Sequence, residues 1–199
     1  TFVEDSLNKR VDVMIDGEFF TSYQWPENVC KPVLYPICTA KGTEITRGFP
    51  INPKPGERID HPHQIGMWLT YGNVNGYDFW GNGSKGLGTK NENRGVIKHL
   101  SIDKKQEGND EGILVTSSTW IAPTGEELMA EYSEYHFLVK DSIRIIDRKT
   151  TLTAKTDISM PDTKEGMFGI RVARELELPS KEDITLYSAD GQATKVEAL

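Results

Sequence analysis

The sequence predicts an all-β fold, a large antiparallel β-sandwich, and three observations carry that prediction. Apolar and polar residues alternate at period two through most of the chain. Compact turn signals separate the alternating runs: Asp16-Gly17, Lys41-Gly42, Asn75-Gly76 and Pro123-Thr124-Gly125. No segment sustains an apolar stripe at helical period. With 37% hydrophobic residues, the chain is expected to form one β-sandwich domain over residues 1–199.

The elements follow in order. "RVDVMIDGEFFTSYQW" is expected to be a hairpin, because Asp16 and Gly17 both tolerate the positive φ of a two-residue turn. "KPVLYPICTAKGTEIT" predicts a second strand pair about Lys41-Gly42. Three prolines and a glycine make "INPKPGERIDHP" a loop. "GMWLTYGNVNGYDFW" predicts a strand, a turn at Asn75-Gly76 and a return strand. "GNGSKGLGTKNENRG" reads as a mobile loop, and without a strand-to-helix transition after it the glycines do not make a phosphate cradle. "GVIKHLSIDKK" and "GILVTSSTWIA" are strands joined by "QEGNDEG".

The strand from Glu126 to Val139 exceeds the usual length of about five or six residues. It carries Leu128, Tyr132, Glu134 and His136 on one face, and Met129, Glu131, Tyr135 and Phe137 on the other. That pattern predicts a large, curved sheet with core on one side and a cleft on the other. Asp141 and Ser142 turn the chain, and "IRIIDRKTTLTA" returns. In "DTKEGMFGIRVARE", Phe168, Ile170 and Val172 point to one face, and Gly169 and Arg171 to the other.

Charge and hydropathy narrow the partners. The net charge is -7 and no basic cluster is present, which argues against nucleic acid. No stretch approaches the ~20 apolar residues of a membrane span. The chain begins at Thr1, so the compartment stays open, a periplasmic or secreted location after signal removal included. Cys30 and Cys38 allow a disulfide or two free thiols. There is no internal repeat, nucleophile elbow or Cys-x-x-Cys pair, and the sequence leaves any cofactor open.

Three stretches hold residues suited to chemistry. In the first, Asp60, His61 and His63 lie together. Residues two apart in an extended segment share a side, and Pro62 biases His61 toward that conformation. The two imidazoles would then act as acid and base, hold a substrate, or share a Zn²⁺-like ion. His99, Glu134 or His136 could supply a third metal ligand. The second stretch is the aromatic set Trp68, Tyr71, Tyr77, Phe79 and Trp80, with Asp78 alternating away from its neighbours. Such rings serve as platforms for sugar C–H faces, or simply as core. In the third, Arg171 has space beside Gly169, and its fork suits a carboxylate or a vicinal diol. Lys164 and Glu165 precede it in a charged turn.

"TRGFP", "DHPHQIGMWLTYGNVNGYDFW" and "DTKEGMFGIRVA" together resemble the PmoA-like family of bacterial proteins, over roughly Lys31 to Ala173. The resemblance implies a β-sandwich similar to the mutarotase-like supersandwich proteins of carbohydrate metabolism. It implies functional positions at Asp60, His61, His63, Gly66, Trp68, Asp78, Trp80, Asp162, Lys164, Glu165 and Arg171. Members commonly read His-His after the proline, whereas here Gln64 follows His63. Members also continue into further strands with a Trp-His-x-Arg-like stretch, so the chain is expected to be truncated at Leu199 or to lack that last sheet segment.

Three readings of function follow. The first is a sugar-processing enzyme of the epimerase, isomerase or lyase type. His61 or His63 would move a proton, Asp60, Asp78, Lys164, Glu165 and Arg171 would hold oxygens, and Trp68 or Trp80 would form the platform. The second is a non-catalytic carbohydrate-binding or accessory β-sandwich with the same cleft. The third, from the family's name, is a metal-dependent oxygenase. In the first two, the partner is a small molecule or an oligosaccharide.

Overall fold

The structure is a computed structural model that describes residues 1–26, 28–82, 93–177, 185–187 and 190–195. It is nearly all strand, in two large antiparallel sheets. The first contains β1 (Phe2–Asp5), β2 (Arg10–Ile15), β3 (Glu18–Gln24), β4 (Val33–Ile37), β5 (Met67–Tyr71) and β10 (Gly166–Ile170), side by side in that order. The second contains β6 (Val96–Gln106), β7 (Glu111–Ile121), β8 (Glu127–Lys140) and β9 (Ile143–Ala154) as a simple meander. Among the described residues a single 3₁₀ turn spans Arg174–Leu176, and β11 (Thr185–Tyr187) pairs with β12 (Ala193–Lys195). Among the described residues, no helix is long and apolar enough to cross a membrane.

The predicted turns hold where their chemistry is strongest. Asp16 and Gly17 have φ of 53° and 79°, and Asn75 and Gly76 have 53° and 86°, so both turns use the left-handed region that Asn, Asp and Gly accept. Two predicted return strands are absent among the described residues. After Lys41-Gly42 the chain makes the isolated Cys38–Glu44 and Thr46–Val172 bridges and neighbouring hydrogen bonds, but no strand. After Asn75-Gly76 it makes the isolated Val74–Tyr77 and Asp78–Arg94 bridges and a hydrogen bond from Phe79 N to the Tyr71 carbonyl, but no strand. The place beside β5 is taken instead by β10, with Gly169 opposite Trp68. A turn propensity says that the chain reverses, but not which segment wins the vacant sheet edge. The loop expected in "GNGSKGLGTKNENRG" falls mostly on residues 83–92, outside the described ones.

One face of each sheet meets the other in a core of Val11, Val13, Phe20, Tyr23, Leu34 and Met67 against Leu114, Tyr135 and Phe137. Strand β4 explains its own composition. Leu34 and Ile37 enter that core, while Val33 and Tyr35 enter a second cluster with Val29, Ile65 and Trp68 on the opposite face. A strand buried on both faces reads as a near-continuous apolar run. On β8, the odd-numbered face forms core, and the even-numbered face carries a Tyr132 that is exposed. Glu131 is tolerated in that core because Trp120 Nε1, Ser133 Oγ and Arg148 all donate to its carboxylate, at 2.8, 2.9 and 2.7 Å.

Strand β10 differs from expectation. Its alternation is as predicted, but the apolar side is the open one, with Phe168 53% exposed. The Gly169 and Arg171 side packs inward against the second cluster instead, because Trp68 fills the room that a glycine leaves. Cys30 and Cys38 are not joined in a disulfide.

Candidate functional site

The second cluster lies under the loop between β4 and β5, and this loop carries Asp60, His61 and His63. Its organiser is Arg47, only 1% exposed. Arg47 donates to the carbonyls of Arg58 (3.2 Å), His61 (2.9 Å) and Gln64 (3.1 Å), and to Asp60 Oδ1 (2.8 Å). The segment after β10 returns beside it. Thr46 bridges Val172, Arg47 N donates to the Arg171 carbonyl at 3.0 Å, and Arg171 N donates to the Gly66 carbonyl at 2.8 Å. The three stretches quoted for the resemblance therefore meet at one place in the fold.

Asp60 stands at the centre. Its Oδ1 accepts from Arg47 and, at 3.0 Å, from Arg171 Nη2, and its Oδ2 lies 3.0 Å from His61 Nδ1. Burial alone would raise the Asp60 carboxyl, but the His61 hydrogen bond and the Arg171 charge outweigh it and hold it below the ordinary carboxylate range. Arg171 Nη1 also donates to Gln64 Oε1 at 2.6 Å. The glutamine that departs from the resemblance thus anchors the arginine. Arg171 Nη2 lies 2.7 Å from Glu177 Oε1, and Arg58 and Arg174 approach Glu177 Oε2 at 3.3 and 3.6 Å.

The histidine pair comes together, but not through an extended segment. His61 has a φ of 45°, in the left-handed region, and Gln64 N donates back to the His61 carbonyl at 2.9 Å. Arg47 and Lys31 cause the turn by capturing the carbonyls of His61 and His63, which overrides the extended bias that Pro62 imposes. The two rings end 5.6 Å apart, edge to face. The His61 side chain is 53% exposed.

Lys31, buried beneath the pair, donates to the His63 carbonyl at 2.6 Å and to Asn82 Oδ1 at 3.0 Å, with the Trp68 ring 5.5 Å away. Burial pushes its ammonium down to about 7, against the opposing influence of Cys30 and Asp78. Burial, and then the charge of Lys31, pushes the His63 imidazole down to about 4. Burial does the same to His99.

The acid limb of stability follows from those two imidazoles. Above about pH 6.5 neither state holds the proton, and the folded protein keeps its full stability. As pH falls from 6.5 toward 4 the unfolded chain protonates first, so stability drops. We expect a loss of about 1–2 kcal/mol per imidazole after allowance for residual solvent. Thermal melts between pH 7 and 4 check this, and His63→Gln should flatten part of the slope. A variant whose slope matches wild type would contradict it.

Trp68 and Trp80 pack edge to face at 5.4 Å. Trp68 is 2% exposed, so its face is closed to any ligand, whereas Trp80 is partly exposed. Gly169 makes the arrangement possible, because a Cβ there would stand 2.5 Å from Trp68 Cζ2. Gly169→Ala should displace the indole, cost about 1–3 kcal/mol and shift the tryptophan emission. Unchanged emission and stability would show that the indole has room to spare. Beside this pair, Arg58, Gln64, Arg171 and Glu177 complete a hollow of about 430 Å³.

Not every expected residue is gathered here. Asp78 accepts from Gly81 N at 2.8 Å and faces Arg94 at 3.7 Å. Lys164 and Glu165 pair with each other at 3.3 Å beside Gly72, at the far end of the β5–β10 ladder from Arg171. That separation is roughly 20 Å at strand rise, so neither shares a ligand with His61. The expected third metal ligands are engaged elsewhere. His99 Nδ1 meets Tyr23 Oη at 3.0 Å, His136 meets Glu111, and Glu134 meets Lys149. Among the described residues, no group of three His, Cys, Asp or Glu could hold a metal ion.

Lys31, Arg47 and Glu177 complete the site without standing out as chemistry in the sequence. A basic residue beside the apolar run "PVLYPI" was the one available signal for Lys31, and Glu177 has none. No curated protein and no solved structure matches the chain. Residues 10–199 match the family of unknown function DUF6807, and the chain belongs to that family.

Proposed function

We propose that the protein is a sugar-processing enzyme of the epimerase, isomerase or lyase type, with His61 as the proton-transferring group. The observation that carries this reading is the Asp60–His61 pair. Asp60 is fixed through Oδ1 by two guanidinia, and its Oδ2 accepts a hydrogen bond from His61 Nδ1–H. That contact sets the tautomer and leaves Nε2 of a half-exposed imidazole for a substrate. The left-handed backbone at His61 supports the same assignment, since a non-glycine residue is held there only by its surroundings. His63, held neutral by burial, serves better as a hydrogen-bonding partner than as a base. Trp80 and the adjoining hollow offer a ring-sized platform within reach of Arg171. The resemblance to the PmoA-like proteins, and through them to supersandwich proteins of carbohydrate metabolism, supports the same substrate class.

The aromatic-lined hollow also favours a non-catalytic sugar-binding role, and one experiment separates the two. Proton spectra in D₂O would follow a panel of mono- and oligosaccharides with wild type and His61→Ala. Exchange of a sugar C–H with wild type alone supports the enzyme. A sugar-dependent rise in melting temperature without exchange assigns the binding role. No melting shift with any sugar removes both.

A further inference from the structure

We propose that β9 is a docking edge for a second copy of this chain, and that two copies pair along it, antiparallel, about a two-fold axis at Arg148.

The edge itself is the first argument. β9 closes one side of its sheet, and its 12 residues pair with β8 from end to end without a shift of register. It holds no proline or glycine, and Ile and Thr make up half of it. Among the described residues no strand lies on its other side. The other edges of the two large sheets are guarded. β1 has 4 residues and β10 has 5. β6 is long, but its register shifts twice, and Lys98, Lys104 and Lys105 stand exposed on it. Natural sheets blunt their edges in those ways, whereas a long, regular edge is a template for another strand.

Charge names the occupant and the register. Arg144 turns inward to the carbonyls of Phe19 and Thr39, and Arg148 turns inward to Glu131. Asp147 and Lys149 are the charges left on the exposed face of β9, two residues apart. In an antiparallel pair centred on Arg148, Asp147 of each copy stands opposite Lys149 of the other. Ile143 and Ile145 then stand opposite Thr153 and Thr151. Moving the centre by one residue sets Asp147 against Asp147, or Lys149 against Lys149, and like charges directly opposite are unfavourable. Both side chains are available for this. Lys149 reaches Glu134 at 3.3 Å but is 74% exposed, and Asp147 makes no ion pair among the described residues. The two Arg148 residues meet at the axis, each held to its own Glu131 at 2.7 Å and over its own Tyr135 ring at 5.0 Å.

Apolar surface is the third argument. A groove of about 460 Å³ opens between β9 and β10, walled by Leu69, Ile146, Leu152, Met167 and Phe168. Met167 is 39% exposed and Phe168 53%. A two-fold axis perpendicular to the sheet keeps the core sides of both copies on one side, so the two grooves face each other across the axis. Pairing along β9 therefore covers these side chains, and their burial adds to the new ladder.

Sedimentation velocity at pH 7 over a range of concentrations tests this on the chain as it stands. Wild type should dimerise reversibly. Asp147→Lys and Lys149→Asp should each raise the dissociation constant tenfold or more, because each sets like charges opposite on both sides of the axis. A mixture of the two variants should pair about as tightly as wild type, since one copy then carries only lysines and the other only aspartates at these positions. The double exchange, Asp147→Lys with Lys149→Asp, should do the same. Melting curves check that each variant is folded. If a single reversal does not fold, the double exchange and Phe168→Ser decide, the first pairing like wild type and the second tenfold or more weakly. A monomeric wild type overturns the proposal and leaves the edge to a different partner. So does a dimer indifferent to both reversals, or one that neither the mixture nor the double exchange restores.

Discussion

His61→Ala is expected to lower turnover about 100- to 10,000-fold, the usual contribution of a positioned acid or base, while the protein stays folded. The reasoning joins exposure to backbone. The His61 side chain is half exposed, and its contacts are the Asp60 carboxylate and the His63 ring, so its loss removes little packing. Its φ of 45° is one that glycine adopts without penalty. His61→Gly should therefore melt at or above the wild-type temperature, gaining up to about 1 kcal/mol from relieved strain while losing turnover to the same degree. His63→Gln should retain much more activity, since a neutral, half-buried imidazole is closer to a hydrogen-bonding group than to a base at pH 7. Melting curves and sugar proton-exchange rates on the three variants settle the matter. Loss of more than about 3 kcal/mol in both His61 variants would mark the residue as a loop anchor rather than a catalyst.

The legible part of the fold was the part decided by local chemistry. Asp16-Gly17 and Asn75-Gly76 turn as expected because their side chains accept left-handed backbone. The meander from Val96 to Ala154 was readable because each strand pairs with its neighbour in sequence. Pairings across long separations were not readable. Nothing near Tyr77 says that β10, some ninety residues later, fills the edge beside β5. The candidate site shows the same division. Asp60, His61 and Arg171 announce themselves by residue type, and they converge. Lys164 and Glu165 look equally suitable in sequence, yet strand rise carries them away from the others. Arg47 and Lys31 were hardest to read. A buried cation is recognisable only by the carbonyls that surround it, and those come from a loop whose shape the cations themselves impose.

Arg47→Met should cost about 3–5 kcal/mol, the larger of the stability losses expected in this molecule, and should abolish activity with it. The guanidinium is buried and spends its hydrogen bonds on three carbonyls and one carboxylate within a single loop. Removing it takes that donor from the Arg58 and Gln64 carbonyls and leaves the His61 carbonyl with Gln64 N, at a position that is buried in the wild type. It also leaves Asp60 to Arg171 and His61 alone. Methionine keeps much of the volume, so the loss would report the polar contacts rather than a cavity. Arg47→Lys sharpens the argument. An ammonium keeps the charge but cannot span the carbonyls of Arg58, His61 and Gln64 together with Asp60, so most of the loss should persist. Denaturant unfolding at pH 7 reads the stability directly. If Arg47→Met loses less than about 1 kcal/mol, the loop holds its shape through Pro62 and the apolar cluster beneath it. In that case the left-handed turn at His61 does not depend on the guanidinium, and Arg47 is present for its charge alone.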